Sequence, residues 1–366
     1  MNTSFKIAFV LFFTITLTAT RSFSQDAELD VILSKIDFKK DSVQCIFDWV
    51  IGELEYDPSQ VILVSAASSY GTSNQNIVRE AINRKKGVCQ HYAALFNALL
   101  KRAGYESYLV EGYTRQGTRD DKDGHVWNAV KLKGKWWFFD PTWASGYVNN
   151  FVFTRRFDYS WYKVAPVRFI ETHIPFDPIW QCLNPPLTHV QIRNNVFETK
   201  MRESFNFQDS IQLALKSNEH DRLKASLART RSMGIPNSVT EKYLKAGDLY
   251  IQNATDYYSL LRAHSVLSNA TSAYNEYILS KNHQFRSPRW TDEMLEAFPK
   301  KMKMYADSSG AILVALSTTN FQNAQYQSQL KKQLTDFNEA VRKETAFIEK
   351  YLATWKPVRM QHFYKK

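Results

Sequence analysis

Gly124-His125-Val126-Trp127-Asn128-Ala129-Val130-Lys131-Leu132-Lys133-Gly134-Lys135-Trp136-Trp137-Phe138-Phe139-Asp140 decides how the chain folds. Two aromatic and β-branched runs flank Lys133-Gly134, a pair suited to a two-residue hairpin turn. That turn sets Leu132 opposite Lys135 and, counting back along both strands, Trp127 opposite Asp140. Side chains alternate between faces with period two, so His125 shares a face with Trp127 and is the diagonal cross-strand neighbour of Asp140. A loop one residue longer or shorter would send the imidazole and the carboxylate to opposite faces.

Upstream, Lys86-Gly87-Val88-Cys89-Gln90-His91-Tyr92 leads into Ala93, Ala94, Leu95, Phe96, Ala98, Leu99 and Leu100. Their spacing predicts a buried helix that closes at Ala103-Gly104. Cys89 therefore stands at a helix N-terminus, where unpaired backbone N–H groups and the positive end of the dipole favour thiolate over thiol. The same N–H groups could donate to a developing oxyanion. A small buried cysteine opening a core helix would occupy the same place, so the chemistry depends on what faces it. With His125 as the base that deprotonates Cys89 and protonates a leaving amine, and Asp140 holding the imidazole, the three residues fit a Cys-His-Asp nucleophile whose first product is a thioester.

Several ordered motifs carry a resemblance to a known family. Gly87-Val88-Cys89, Tyr92-Ala93, Gly124-His125-Val126-Trp127-Asn128, Gly134-Lys135-Trp136 and Asp140-Pro141-Thr142-Trp143 resemble the transglutaminase-like core of the papain-type cysteine superfamily. Cys45 through Asp57 is similar to the helix and Tyr-Asp pair that precede that core in bacterial members. Phe169 through Gln181 is similar to the end of secreted bacterial and kyphoscoliosis-peptidase-like relatives. The resemblance covers about residues 35–185 and implies an α+β domain over 30–185, with N-terminal helices carrying the cysteine and an antiparallel sheet carrying the histidine and aspartate. It places Cys89, His125 and Asp140 on the nucleophile, the base and the orienting acid.

The family contains cross-linkers, peptidases, amidases and deamidases, as well as members that serve only as scaffolds. The expectation is a cysteine acyl-transfer enzyme acting on a protein or peptide amide, with hydrolysis and transamidation both open and a non-catalytic envelope scaffold as the alternative. Trp127, Trp143 and Tyr56 are the candidate aromatic walls for substrate, although core packing would use the same residues. Animal members often require calcium, but Asp120-Asp121-Lys122-Asp123-Gly124 lacks the bidentate glutamate of an EF-hand and reads as a solvated turn ahead of His125. The isolated cysteines make no zinc pattern, so catalysis without a metal or cofactor is expected.

Lys6 precedes the apolar run 7–17, the length of a signal-peptide core and too short to span a bilayer, and Ser22-Phe23-Ser24 suits cleavage after Ser24. The sequence thus predicts a signal peptide over 1–24, and export to a periplasm or beyond with no integral membrane segment in the mature chain. Cys45 and Cys182 could pair there, leaving Cys89 free. The net charge of +11 is dispersed, and in an exported chain it suits an anionic cell-envelope surface rather than nucleic acid.

At 366 residues the chain exceeds one core. Asn184-Pro185-Pro186 reads as a boundary, followed by a helical region over 186–366. Ser238-Val239-Thr240-Glu241 predicts a capping box opening one helix, a second follows Pro288, and a third carries Leu330, Leu334, Phe337, Val341, Ile348, Leu352 and Trp355 at near-heptad spacing, interrupted near Glu344-Thr345. An antiparallel bundle is the expected outcome.

Overall fold

A computed structural model describes residues 14–39, 41–60, 74–197 and 206–364. Most of the apolar run 7–17 lies outside these residues. The expected cleavage position after Ser24 falls within the first helix, α1 (Thr14–Lys35). No helix among the described residues is long and apolar enough to cross a membrane.

The chain forms two compact units, 1–248 and 249–366. In the first, α2 (Ser42–Glu53) starts where the Asp41 carboxylate accepts the Val43 N–H, and it buries Val43, Ile46, Phe47 and Val50 along one stripe. Strand β1 (Glu55–Tyr56) follows, then α3 (Asn74–Arg84) and β2 (Lys86–Gly87), which pairs parallel to β1 with Tyr56 beside Gly87. Helix α4 (Cys89–Arg102) begins at the cysteine. It closes as expected: Gly104 takes φ +86°, its N–H bonds Lys101 and the Tyr105 N–H bonds Leu100, which is a Schellman ending.

Strands β3 (Glu106–Gln116), β4 (Arg119–Leu132) and β5 (Lys135–Phe139) come next, then α5 (Pro141–Ser145), β6 (Gly146–Asn149), β7 (Val152–Arg155), α6 (Pro166–Phe169) and β8 (His173–Pro175). The main sheet runs β5-β4-β3-β8, antiparallel throughout. Lys133 and Gly134 both have positive φ, 50° and 78°, and Leu132 pairs with Lys135, the turn and register expected from sequence. Asp120–Gly124 departs from expectation, because it belongs to β4 itself. The turn lies earlier, at Gly117-Thr118, and the surplus residues are absorbed in a register shift between Tyr113 and Arg115.

Both faces of this sheet are covered. Val130 and Phe139 join α2, α3 and α4 in one core, while Trp127, Ala129, Trp136 and Phe138 join Val110, Phe169 and Ile179 in another. After α7 (His189–Arg193), helix α8 (Phe207–Lys216) adds Ile211 and Ala214 to that second core. Helix α9 (Glu219–Ser232) is tied to the same unit by a paired hydrogen bond from Arg229 to the Asp177 carboxylate, 2.8 and 2.6 Å. The first unit therefore continues past the Asn184-Pro185-Pro186 boundary to Asp248. The three cysteines are free and buried.

Helix α10 (Ser238–Asn282) opens on Asn237, whose side-chain oxygen accepts the Thr240 N–H at 2.9 Å. The cap thus lies one residue before the expected Ser238, because Asn237 reaches the third N–H of the helix. In the second unit α11 (Asp292–Ala315) and α12 (Phe321–Ala353) bury Leu295, Phe298, Met302, Leu330, Phe337 and Ile348. Glu344 sits where the apolar spacing breaks: its carboxylate accepts the Tyr277 hydroxyl at 2.9 Å and the Lys281 ammonium at 2.5 Å. Trp355 lies beyond the end of α12 and is exposed, since the helix closes at Thr354.

Candidate active site

Asp140 ends the β5 hairpin and caps α5, and it is fully buried. Its Oδ1 accepts the backbone N–H groups of Thr142 (2.8 Å) and Trp143 (3.1 Å). Its Oδ2 meets His125 Nε2 at 2.7 Å and His173 Nε2 at 3.0 Å. Burial opposes the charged carboxylate, but the His125 charge and hydrogen bonds from both imidazoles outweigh it and hold the group well below the usual carboxylate range.

His125 is brought there by the register of the hairpin. Burial favours its neutral form, yet the Asp140 charge and hydrogen bond, joined by the Cys89 side chain, push its pKa up to about 10. Nε2 is engaged by Asp140, which leaves Nδ1 as the ring nitrogen available to Cys89. His173, absent from the sequence assignments, arrives on β8 with its ring stacked on Phe169 at 4.0 Å between centroids. Burial lowers its pKa to about 4, so it is neutral and donates its Nε2–H to Asp140, while the Thr172 hydroxyl lies 2.8 Å from Nδ1. Gly112 makes this approach possible: a Cβ there would come within 2.2 Å of the Ile174 carbonyl oxygen.

Cys89 is the first residue of α4 and is 8% exposed. The turn before it is set by His91, whose Nδ1 accepts the Val88 N–H at 3.1 Å. The His91 ring also packs on Gly87, where a Cβ would fall 2.4 Å from its Cγ. That explains why the residue two positions before the thiol lacks a side chain.

Cys89 and His125 line a chamber of about 240 Å³ with Tyr56, Trp143 and Asp123. A larger cleft of about 660 Å³ adjoins it and shares Tyr56, His125 and Trp143. Two of the expected aromatic walls, Tyr56 and Trp143, line both cavities. Trp127 does not: it is fully buried beneath His125, packed on Phe169 and His173, because both faces of β4 are covered. Burial, with negative charge at Cys89 and Asp140, pushes the Tyr56 phenol pKa up, so its hydroxyl stays a hydrogen-bond donor.

Among the described residues, one group of three brings metal-ligating atoms within 4.8 Å: His125, Asp140 and His173. Asp140 Oδ2 is already engaged by both imidazoles, so an entering cation would have to displace both ring protons.

Residues 31–141 match the transglutaminase-like superfamily. They form a transglutaminase-like core. The chain is 31% identical over 164 residues to the kyphoscoliosis peptidases of Homo sapiens and Mus musculus, covering 42% of this chain and 24% of each relative. It is 24% identical to Hillarin of Drosophila melanogaster over 127 residues, covering 30% of this chain and 16% of that protein. The match thus spans about a quarter of the length of the peptidases. Among solved structures, a candidate cysteine protease from Cytophaga hutchinsonii is 23% identical, covering 32% of this chain and 37% of its own, with a TM-score of 0.25. A structure described as a TGase is 19% identical, covering 39% and 37%, with a TM-score of 0.28. The matched segment of the transglutaminase-like core holds Cys89, His125 and Asp140; His173 lies beyond its end.

Proposed function

We propose that this chain is a cysteine acyl-transfer enzyme that takes an acyl group from a protein or peptide amide onto Cys89. The observation that carries it is the contact between His125 Nε2 and Asp140 Oδ2, which leaves the opposite ring nitrogen for the thiol. With its pKa raised, His125 holds the thiol proton as an imidazolium, and the thiolate sulfur attacks the amide carbonyl carbon. The Cys89 backbone N–H at the start of α4 and the Tyr56 hydroxyl are suited to receive the oxygen charge that develops. Collapse breaks the C–N bond, the amine leaves with the proton held by His125, and a thioester remains. In the second half His125 removes a proton from water or an amine, which attacks the thioester, and sulfur leaves. Asp140, with four donors on its two oxygens, stays ionised and holds the imidazole in one tautomer throughout.

Intact mass after treatment with N-acetylglycine p-nitrophenyl ester tests this. The expected result is an acyl adduct on Cys89 that forms at least about 100-fold more slowly in His125→Ala. Neither an adduct nor Cys89-dependent release of p-nitrophenolate, or both indifferent to His125, would leave a scaffold that keeps the fold without turnover.

A further inference from the structure

We propose that the larger cleft binds the amine side of the reacting bond, and that its occupant is a peptide residue bearing an aromatic or large aliphatic side chain on that nitrogen. This rests on the acyl-transfer function proposed above. Cys89 lines only the small chamber, whereas His125 lines both cavities. A base in this chemistry gives its proton to the departing nitrogen and takes one from the entering nucleophile, so the nitrogen lies on the histidine side of the carbonyl carbon. Whatever that nitrogen carries then extends past His125 into the cleft. At about 660 Å³ the space exceeds what ammonia needs and falls within the ~300–1,000 Å³ of ligand-sized pockets.

The walls indicate the chemistry of the occupant. Tyr147, Phe151 and Phe153 from the β6-β7 hairpin line the cleft together with Trp143 and Trp161. At the hairpin tip Asn150 and Phe151 have φ of 48° and 61°. Phenylalanine is disfavoured in that left-handed region, and here the residue is 82% exposed, so neither backbone preference nor burial within the chain accounts for it. Tyr147 and Val148 beside it are 46% and 42% exposed. The Arg156 guanidinium, 5.3 Å from the Tyr147 ring centroid, holds one wall in place. Strain and exposed aromatic surface therefore coincide at the rim of a cavity that ends at the base. An enzyme that only released ammonia would leave this surface empty. The cleft fits cleavage of a peptide bond, or transfer to a peptide amine.

Acyl transfer from a simple ester isolates this side of the bond. N-Acetylglycine p-nitrophenyl ester would acylate Cys89, releasing p-nitrophenolate, in the presence of equal phenylalaninamide and glycinamide, with Cys89→Ala giving the solution background. An amine attacks the thioester carbon, its proton passes to His125 and the C–S bond breaks, so the two amide products count the two acceptors. The expected ratio favours phenylalaninamide by about 10-fold or more. Phe151→Ser should lower that ratio about 3-fold or more, while Phe321→Ser, at an 80% exposed position in the second unit, leaves it unchanged. Cys89-dependent release with equal use of the two amines overturns the cleft assignment alone. A ratio unmoved in both Phe151→Ser and Trp161→Ala overturns it as well. Absence of Cys89-dependent release overturns the acyl-transfer function itself.

Discussion

His173 Nε2 lies 3.0 Å from Asp140 Oδ2, the same oxygen that His125 Nε2 meets at 2.7 Å. One carboxylate oxygen thus collects two ring N–H groups, and the other collects two backbone N–H groups. The hydrogen bond of His173 goes to Asp140, while its ring also packs on Trp143 and lies 5.6 Å from the His125 ring, so it is a positioning residue. In His173→Ala the carboxylate loses a donor in a fully buried site. A hydrogen bond to a charged group contributes about 1.5–3 kcal/mol, so the rate of Cys89 acylation should fall roughly 10- to 150-fold. The acid side of the pH-rate profile should also move upward, as Asp140 becomes easier to protonate. His173→Gln, which keeps an N–H donor, should recover part of the rate. A rate and profile unchanged in His173→Ala would show that two backbone donors and His125 suffice.

His125→Ala removes the base and should lower acylation by about 10²–10⁴. His125→Gln keeps a donor for Asp140 and no base, so it should match the alanine variant in rate while melting at a higher temperature. Stopped-flow p-nitrophenolate release and thermal unfolding separate the two effects.

The two imidazoles should give stability opposite pH dependences. His125 is raised from 6.5 to about 10, so its contribution is complete below pH 6.5 and is lost as pH rises towards 10. His173 is lowered from 6.5 to about 4; between those values the unfolded chain binds a proton that the folded chain does not, and stability falls as pH falls. Asp140, held low, adds stability that is present above its unfolded value and is lost in strong acid. Each imidazole contributes a slope of at most about 1.4 kcal/mol per pH unit inside its window. Urea unfolding from pH 4 to 10 should show a maximum near pH 6.5. The alkaline limb should flatten in His125→Gln and the acidic limb in His173→Gln, and no change of slope in either variant would refute the assignment.

Gly87→Ala forces a methyl group into the His91 ring and should cost roughly 1–3 kcal/mol, with a loss of acylation as the turn before Cys89 shifts. Adding His91→Ala opens the space. The double variant should therefore be more stable than the sum of the single changes, a coupling readable in a double-mutant cycle. Simple additivity would mean that His91 moves aside without consequence.

Much of the site was legible in the chain because its geometry is local. Lys133-Gly134 sets the hairpin register, and the register alone puts His125 beside Asp140. The apolar run after Cys89 and the glycine at 104 bound α4, so the thiol's place at a helix start follows from near neighbours. Trp127 was misplaced because alternation says which residues share a face without saying which face is open, and here both are covered. Asp120–Gly124 was misplaced because a run of charges and glycine suits a turn as well as a wide bulge in a strand.

Sequence by itself determined the α+β core, the helix start that carries Cys89 and the hairpin that sets His125 beside Asp140, since each depends on spacings of a few residues. Tertiary structure alone decided that His173 completes the Asp140 cage, that α8 and α9 belong with the sheet, and that β6 and β7 build an aromatic cleft beyond His125. Those relationships join segments far apart in sequence. Gly112 permits the β8 approach, but no local periodicity records which strand will use the space it leaves.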